Sequence, residues 1–228
     1  MPTSTKCWKP SARSYSAISH ELRSPLTRAR LNTELLPETP DLQPNREALL
    51  RDLALMRDLV TDLLEGERLA SPHVALHTEA VDLAALAHDV ANSLPGNPEV
   101  QRDISTQLPT LALDPTRLRL LLHWRLLDNA AAAASALRSS PVISVLPLAD
   151  GGVRISVRDF GEGVAADQLP NLGQTFYRPD AARTREGGGV GLGLYLCRLV
   201  ALAHRGRFAA RNAGPGLDIR IDLPGAKV

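Results

Sequence analysis

The first part of the chain has the apolar spacing of two amphipathic helices. Counted from Ile18, apolar residues recur 4, 3, 4 and 7 positions apart, at Leu22, Pro25, Ala29 and Leu36. A second series, with spacings of 4, 3, 4 and 3, consists of Leu49, Leu53, Met56, Val60 and Leu63. Each series forms one apolar stripe along a helix, so we expect one helix over 14–36 and another from about residue 46.

The number of apolar stripes predicts the assembly. Two helices with a single stripe each cannot enclose a core, whereas two copies of such a hairpin can form a four-helix bundle. We therefore predict a homodimer. The alternative is that the hairpin packs on the rest of the same chain, and light scattering separates the two arrangements.

The remaining chain mixes helix and strand patterns. A helix capped by Asp82 is expected over 79–94, and a second helix begins at Asp114 and Pro115 with an apolar body over 118–137. Alternating residues around the turn 149–152 predict a β-hairpin with strands Val142–Leu146 and Val153–Val157. Further elements are a short strand around Ile104, a helix over 192–204, and strands over 207–211 and 217–223.

Composition and charge limit the kinds of partner and site that are expected in this chain. The 228 residues carry 26 Lys and Arg against 25 Asp and Glu, so a nucleic-acid surface is not expected to be the main partner site. The two cysteines, Cys7 and Cys197, lie in unrelated contexts and predict neither a disulfide framework nor a zinc site, which fits a reducing cytoplasm. No apolar run approaches the ~18 to 20 residues of a membrane helix, so no membrane segment is predicted in this chain.

The predicted organisation has four parts. They are a flexible leader over 1–13, the helical hairpin over 14–70, a linker over 71–78 and a C-terminal domain over 79–228.

His20 is the first candidate for chemistry. It is two residues from Ile18, about 200° around the helix, and therefore points away from the apolar stripe. An imidazole on the solvent side of a helix can meet a substrate, and the neighbouring Glu21 can orient the ring or take its proton. Pro25 removes the usual partner of the Glu21 carbonyl, so a kink is expected just beyond the histidine.

The second candidate is a glycine-rich stretch with five glycines among residues 187–193. Such a stretch cannot be a stable helix interior, but its backbone N–H groups can face a phosphate at the start of the following helix. A P-loop is excluded because no Gly-Lys-Ser/Thr follows. A Rossmann turn is disfavoured because the preceding 180–186 is polar and rich in arginine, which is typical of a mobile lid.

Several segments together resemble sensor histidine kinases. His20-Glu21-Leu22-Arg23-Ser24-Pro25-Leu26 matches the phosphoacceptor box of that family at every position. Arg125-Leu126-Leu127-Asp128-Asn129-Ala130 resembles the N box, although the family usually has asparagine where Arg125 stands. Asp159-Phe160-Gly161-Glu162-Gly163 resembles the G1 box, and the stretch from Gly187 to Leu196 resembles the G2 box. Gln174 to Pro179 resembles the F box in part, since Gly173 replaces a frequent phenylalanine.

The resemblance implies a fold and a reaction. The fold is of the α+β class: a helical hairpin that forms a dimeric four-helix bundle, then a two-layer α/β sandwich with a mixed sheet, the Bergerat-type ATP-binding fold. The enzyme is a protein histidine kinase that uses ATP and Mg²⁺ to phosphorylate itself on His20. It then passes the phosphate to an aspartate on a response-regulator receiver domain.

The resemblance also assigns roles to single residues. Glu21 assists His20, Ser24 stands where related kinases position water for a phosphatase reaction, and Arg125 can clamp phosphate charge. Asn129 is the expected Mg²⁺ ligand. The expected nucleotide-binding residues are Asn129, Asp159, Gly161, Gly163, Phe176, Tyr177, Arg178, Gly187, Gly188, Gly189, Gly191, Leu192 and Gly193.

Two alternatives remain at this point. A degenerate, non-catalytic dimer that binds nucleotide and regulates a partner kinase is favoured by Arg125 and by the alanine run 130–134. A related ATPase outside signalling would leave His20 and the hairpin unexplained. The resemblance further implies the cytoplasmic portion of a bacterial inner-membrane sensor, and the balanced charge predicts no nucleic-acid partner.

Overall fold

The computed structural model describes residues 12–37, 39–70, 76–93, 99–122, 140–179 and 191–225, without the side chains of residues 12–21 and 23. The chain divides into two compact units, Met1–Ser71 and Pro72–Val228. Within the described residues, no helix combines the length and the apolar character that crossing a membrane requires.

The first unit is a helical hairpin, as predicted. Helix α1 spans Ala12–Glu34 and continues through Pro25, and helix α2 spans Gln43–Ala70. Arg46, in the first turn of α2, donates from Nε to the carbonyl of Thr33 at 3.2 Å and from Nη2 to the carbonyl of Glu34 at 2.9 Å. These two bonds satisfy carbonyl groups that the end of α1 leaves without a helical partner, and they fix the turn between the helices.

One row of apolar side chains along α2 remains exposed to solvent in the single chain. Leu42, which precedes α2, and Leu49, Met56 and Leu63 within it are seven positions apart and 42–51% exposed. We call these four residues the heptad row. Their spacing returns each side chain to nearly the same face of the helix, so the row forms a continuous apolar strip.

The second unit contains short helices and strands. Its first part consists of β1 Glu79–Val81, α3 Leu83–Asn92, β2 Gln101–Ile104, β3 Leu111–Leu113 and α4 Pro115–Leu121. Its second part consists of β4 Val142–Pro147, β5 Val153–Arg158, a 3₁₀ turn Leu169–Asn171, α5 Gly193–Ala203, β6 Arg207–Asn212 and β7 Leu217–Leu223.

Five strands form a mixed sheet in the order β2-β4-β5-β7-β6. Strand β2 is parallel to β4, and the other neighbours are antiparallel. One face of this sheet is apolar: the directly paired Val145, Ile155 and Ile221 are each at most 1% exposed. The hairpin and the mixed sheet confirm the predicted α+β fold class.

The opposite face of the sheet is charged. Arg154 on β5 lies directly across from Asp222 on β7 and donates two hydrogen bonds of 2.7 Å to its carboxylate. These bonds raise the pKa of Arg154, against the smaller opposing effect of burial. Partial burial alone has the reverse effect on Arg117, in the first turn of α4, and lowers its pKa. The alternation of buried apolar and paired charged residues fixes which side of the sheet faces the core.

The start of α3 corrects one prediction. Residues 79–81 were expected to open this helix, but Glu79–Val81 is a strand that pairs antiparallel with Leu111–Leu113. The helix begins only after Asp82, whose Oδ1 accepts from the N–H of Ala85 at 3.0 Å. An N-cap residue has extended backbone geometry, so the residues before it are free to join a strand.

Candidate functional site

The acidic residue of the G1 segment lies immediately after β5. Asp159 makes two hydrogen bonds with the backbone of Leu217. Its N–H donates to the Leu217 carbonyl at 2.9 Å, and its Oδ1 accepts from the Leu217 N–H at 3.1 Å. The same Oδ1 accepts from the N–H of Gly161 at 2.9 Å. No described residue donates to Oδ2, so this half-buried carboxylate is held rigidly through one oxygen and presents the other.

Residues outside the predicted motifs hold the G1 segment in place. The side chain of Asn212, at the end of β6, accepts from the N–H of Val164 at 3.0 Å and donates to the carbonyl of Val164 at 2.6 Å. A Cβ atom at Gly163 would lie 2.8 Å from Asn212 Oδ1, so only glycine allows this approach. Asn212 therefore fastens the loop to the sheet, a role that the sequence analysis did not assign.

The turn between β6 and β7 supports Asp159 from the other side. Gly216 has a φ angle of +92°, and a Cβ atom there would collide with the carbonyl oxygen of Asp159. Arg158 donates from Nη2 to the carbonyl of Ala213 at 3.1 Å, and its guanidinium lies 4.7 Å from the centre of the Phe160 ring. The turn and the G1 segment are thus bound together by an arginine at the end of β5.

The structure brings the F-box and G2 segments into direct contact. Gly191 has a φ angle of +82°, and a Cβ atom there would lie 2.8 Å from the carbonyl oxygen of Tyr177 and 2.9 Å from the carbonyl carbon of Phe176. Phe176 itself has a φ angle of +60°, and its ring is 55% exposed. Tyr177 and Arg178 are half-buried. This close backbone approach requires glycine at position 191.

Helix α5 begins directly after this contact. Leu192 is buried and occupies the N-cap position, and its apolar side chain does not cap the helix. The first amides of a helix have no intrahelical acceptor, and the helix dipole makes this end attractive to anions. Gly193 starts the helix without a side chain that could cover these amides. The beginning of α5 is therefore suited to receive a phosphate group.

The remaining predicted residues are placed less completely. The backbones of His20 and Glu21 lie in α1, while their side chains are outside the described residues. Ser24 is exposed on the same helix, four residues after His20. Outside the described residues altogether are Arg125, Asn129, Gly187, Gly188 and Gly189.

The donor set bears on magnesium. Within the described part of the chain, no group of three or more His, Cys, Asp or Glu side chains could hold a metal ion. Mg²⁺ that accompanies a nucleotide usually has one or two protein ligands, several waters and the phosphate oxygens, and the expected ligand Asn129 lies outside the described residues.

Two family models match the chain. Residues 14–72 match the His Kinase A (phospho-acceptor) domain. Residues 113–227, half of the chain, match the histidine kinase-, DNA gyrase B- and HSP90-like ATPase family. The fold and site thus define a phosphoacceptor domain joined to an ATPase domain of this type.

Curated relatives agree with these matches. The sensor histidine kinase MtrB of Mycobacterium tuberculosis is 30% identical over 220 residues, which cover 92% of this chain and 38% of MtrB. The sensor protein SphS of Synechococcus elongatus is 36% identical over 228 residues, covering 92% of this chain and 54% of SphS. The chain belongs to the sensor histidine kinases of two-component systems and spans about half or less of the length of these relatives.

Solved structures show the same fold. The full-length protein ShkA in complex with AMPPNP matches 96% of this chain and 47% of its own, with a TM-score of 0.78 and 27% identity. The Acinetobacter baumannii histidine kinase AdeS matches 91% of this chain and 98% of its own, with a TM-score of 0.66 and 21% identity.

Proposed function

We propose that this chain binds ATP in its second unit and phosphorylates itself on His20. The observation that carries this proposal is the beginning of α5, where Gly191 packs against Phe176 and Tyr177 and the N-cap residue Leu192 gives the first helical amides no side-chain cap. This arrangement supports a phosphate site at the start of α5. Asp159 Oδ2 is the matching acceptor for the exocyclic amine of adenine.

The chemistry is transfer of the γ-phosphoryl group. The neutral imidazole of His20 attacks the γ-phosphorus, a nitrogen–phosphorus bond forms, and the bond to the bridging oxygen of ADP breaks. Glu21 accepts the imidazole proton or stabilises the charge that develops on the ring. Asn129 and Arg125 are four residues apart, so on the predicted helix they would share one face, which we propose is the face toward the phosphates. Mg²⁺ bound at Asn129 would neutralise phosphate charge.

The phosphohistidine then serves as a donor. We propose that an aspartate on the receiver domain of a response regulator attacks its phosphorus, that the nitrogen–phosphorus bond breaks, and that the ring regains the proton it gave up and is released as neutral His20. Ser24, exposed four residues after His20, would hold a water molecule that hydrolyses the phosphate from the regulator. The whole protein is then a sensor whose cytoplasmic portion includes this chain.

The test is incubation of the full chain with γ-labelled ATP and Mg²⁺. We expect a label that is stable in alkali and lost in acid, as a phosphoramidate bond requires. Tight nucleotide binding without any label would contradict autophosphorylation and support the non-catalytic regulator instead. If the chain shows no nucleotide binding and no label, both the kinase and the non-catalytic regulator are contradicted.

The heptad row supports a homodimer. A buried Leu or Met side chain contributes about 1.5 to 3 kcal/mol relative to exposure, and a symmetric bundle buries each position twice. We therefore expect the double variant Leu49→Glu and Met56→Glu to convert a dimer of the full chain to a monomer. Multi-angle light scattering measures the change in mass directly.

Leu55 provides the matched control for this prediction. It is 49% exposed and adjacent to Met56, but it is not in the heptad row. Leu55→Glu should leave the dimer intact. A wild-type chain that is already monomeric at micromolar concentration, or a double variant that remains dimeric, would contradict the proposed bundle.

A further inference from the structure

A buried carboxylate at the start of α4 joins three segments of the second unit. Asp114 is 3% exposed. Its Oδ1 accepts from the N–H of Arg117 at 3.1 Å, which is an ordinary helix N-cap, and its Oδ2 accepts from the N–H of His77 at 3.0 Å. The N–H of Asp114 itself donates to Nε2 of His204 at 3.0 Å. Residue 114 thus ties α4 to the segment before β1 and to the end of α5.

The partners of His204 define its protonation. The imidazole is 7% exposed and lies at the C-terminal end of α5. Its Nδ1 is 2.8 Å from the carbonyl oxygen of Val200, which can only accept, so Nδ1 carries the proton. Nε2 faces an N–H donor and must therefore present its lone pair. Both neighbours select the same neutral tautomer.

A second contact gives the direction of the two helices. Cys197 Sγ in α5 donates a weak hydrogen bond to the carbonyl of Leu121 in α4 at 3.8 Å. Asp114 and Leu121 are seven residues apart, as are Cys197 and His204. Seven residues span about 10.5 Å of helix, so α4 and α5 lie side by side in antiparallel register. The start of α5 at Gly193 therefore lies in the direction in which α4 runs.

We propose that Asp114 and His204 are positioning residues for the nucleotide site: their buried hydrogen bond fixes the axial position of α4 against α5. The inference rests on the proposed function, because it assumes that phosphate binds at the start of α5. Sliding of one helix along the other would move the groups at the far end of the pair. A small displacement of groups that contact a ligand costs much binding energy because their geometry must match the ligand.

Comparison with the N-cap of α3 shows that Asp114 does more than cap a helix. Asp82 caps α3 through a single bond to the N–H of Ala85 and is itself exposed. Asp114 makes the equivalent bond and in addition bonds to two distant segments, 37 and 90 residues away. Asp82→Ala is accordingly the matched control for loss of a helix cap without loss of the connection.

Two substitutions at His204 distinguish its hydrogen bond to Asp114 from its hydrogen bond to Val200 in α5. Asparagine places an amide nitrogen near the position of Nδ1 and can still donate to Val200, but it is too short to reach the N–H of Asp114. Glutamine is longer, and its carbonyl oxygen can accept from Asp114 as Nε2 does. The connection is therefore removed in His204→Asn and retained in His204→Gln.

The experiment is calorimetric titration of the full chain with ATP and Mg²⁺, at a temperature where urea unfolding shows every variant to be folded. We expect His204→Asn to raise the dissociation constant at least about tenfold. His204→Gln and Asp82→Ala should stay within about threefold of wild type. A purely structural role would lower the urea midpoint of His204→Asn without this change in affinity, and that result would overturn the inference.

ATP binding by the wild type distinguishes failure of the proposed function from failure of the inference alone. If the wild type does not bind ATP, the proposed function fails and the inference falls with it. If the wild type binds and His204→Asn binds equally well, only the inference fails. Should His204→Asn not fold, amide hydrogen exchange in the wild type decides. Coupling is reciprocal, so ATP must slow exchange of the Asp114 amide about tenfold, and an unchanged rate overturns the inference.

Discussion

His20→Gln is expected to reduce incorporation of acid-labile phosphate to below about 1% of the wild-type value. Glutamine has a similar length and polarity, but its amide nitrogen is not nucleophilic and cannot form the phosphoramidate bond. The position lies in a helix that continues through Pro25 to Glu34, so the substitution should not disturb the hairpin. Labelling with γ-labelled ATP followed by acid treatment measures the effect, and circular dichroism verifies the fold.

The neighbouring Ser24 provides the control for this experiment. It is exposed on the same helix, and its hydroxyl is not expected to take part in forming the phosphohistidine. Ser24→Ala should therefore incorporate label at a rate close to wild type. Retention of acid-labile label in His20→Gln would show that another residue is the acceptor, and ATP affinity unchanged between the two variants would locate the defect in transfer rather than in binding.

Local patterns predicted most of the regular structure. The hairpin of β4 and β5 follows from alternating residues around a glycine turn, and β7 has the predicted bounds Leu217–Leu223. The pairing of Glu79–Val81 with Leu111–Leu113 was not predicted. Each of these strands has three residues, too few to show alternation, and their pairing depends on segments 30 or more residues apart. Such non-local contacts leave no periodic signal in either segment.

The candidate site divides in the same way. The glycine stretch and the Asp159 segment are visible as local motifs, but the contact of Gly191 with Phe176 and Tyr177 was not predicted. The group that fastens the Asp159 segment comes from elsewhere in the chain, as Asn212 does. The Gly214-Pro215-Gly216 turn was the one sequence feature that could have indicated a tight approach beside Asp159.

Gly191→Ala is expected to weaken ATP binding at least about tenfold. Alanine at a φ angle of +82° is strained by about 1 to 2 kcal/mol, and its methyl group would lie 2.8 Å from the Tyr177 carbonyl oxygen. The chain must therefore separate the F-box segment from the start of α5, which displaces the amides proposed to bind phosphate. Calorimetric titration of the full chain with ATP and Mg²⁺ measures the loss.

Gly151→Ala is a control that has the backbone strain of Gly191→Ala without its collision with Tyr177. It lies in the turn between β4 and β5 with a φ angle of +78°, and a Cβ atom there would meet nothing within 4 Å. Gly151→Ala therefore carries nearly the same cost of backbone strain, without the collision and without touching the proposed site. Because both variants are strained and only Gly191→Ala closes the gap to Tyr177, a difference in ATP affinity between them reports the contact itself. Equal affinity of the two variants for ATP would mean that phosphate does not bind at the start of α5.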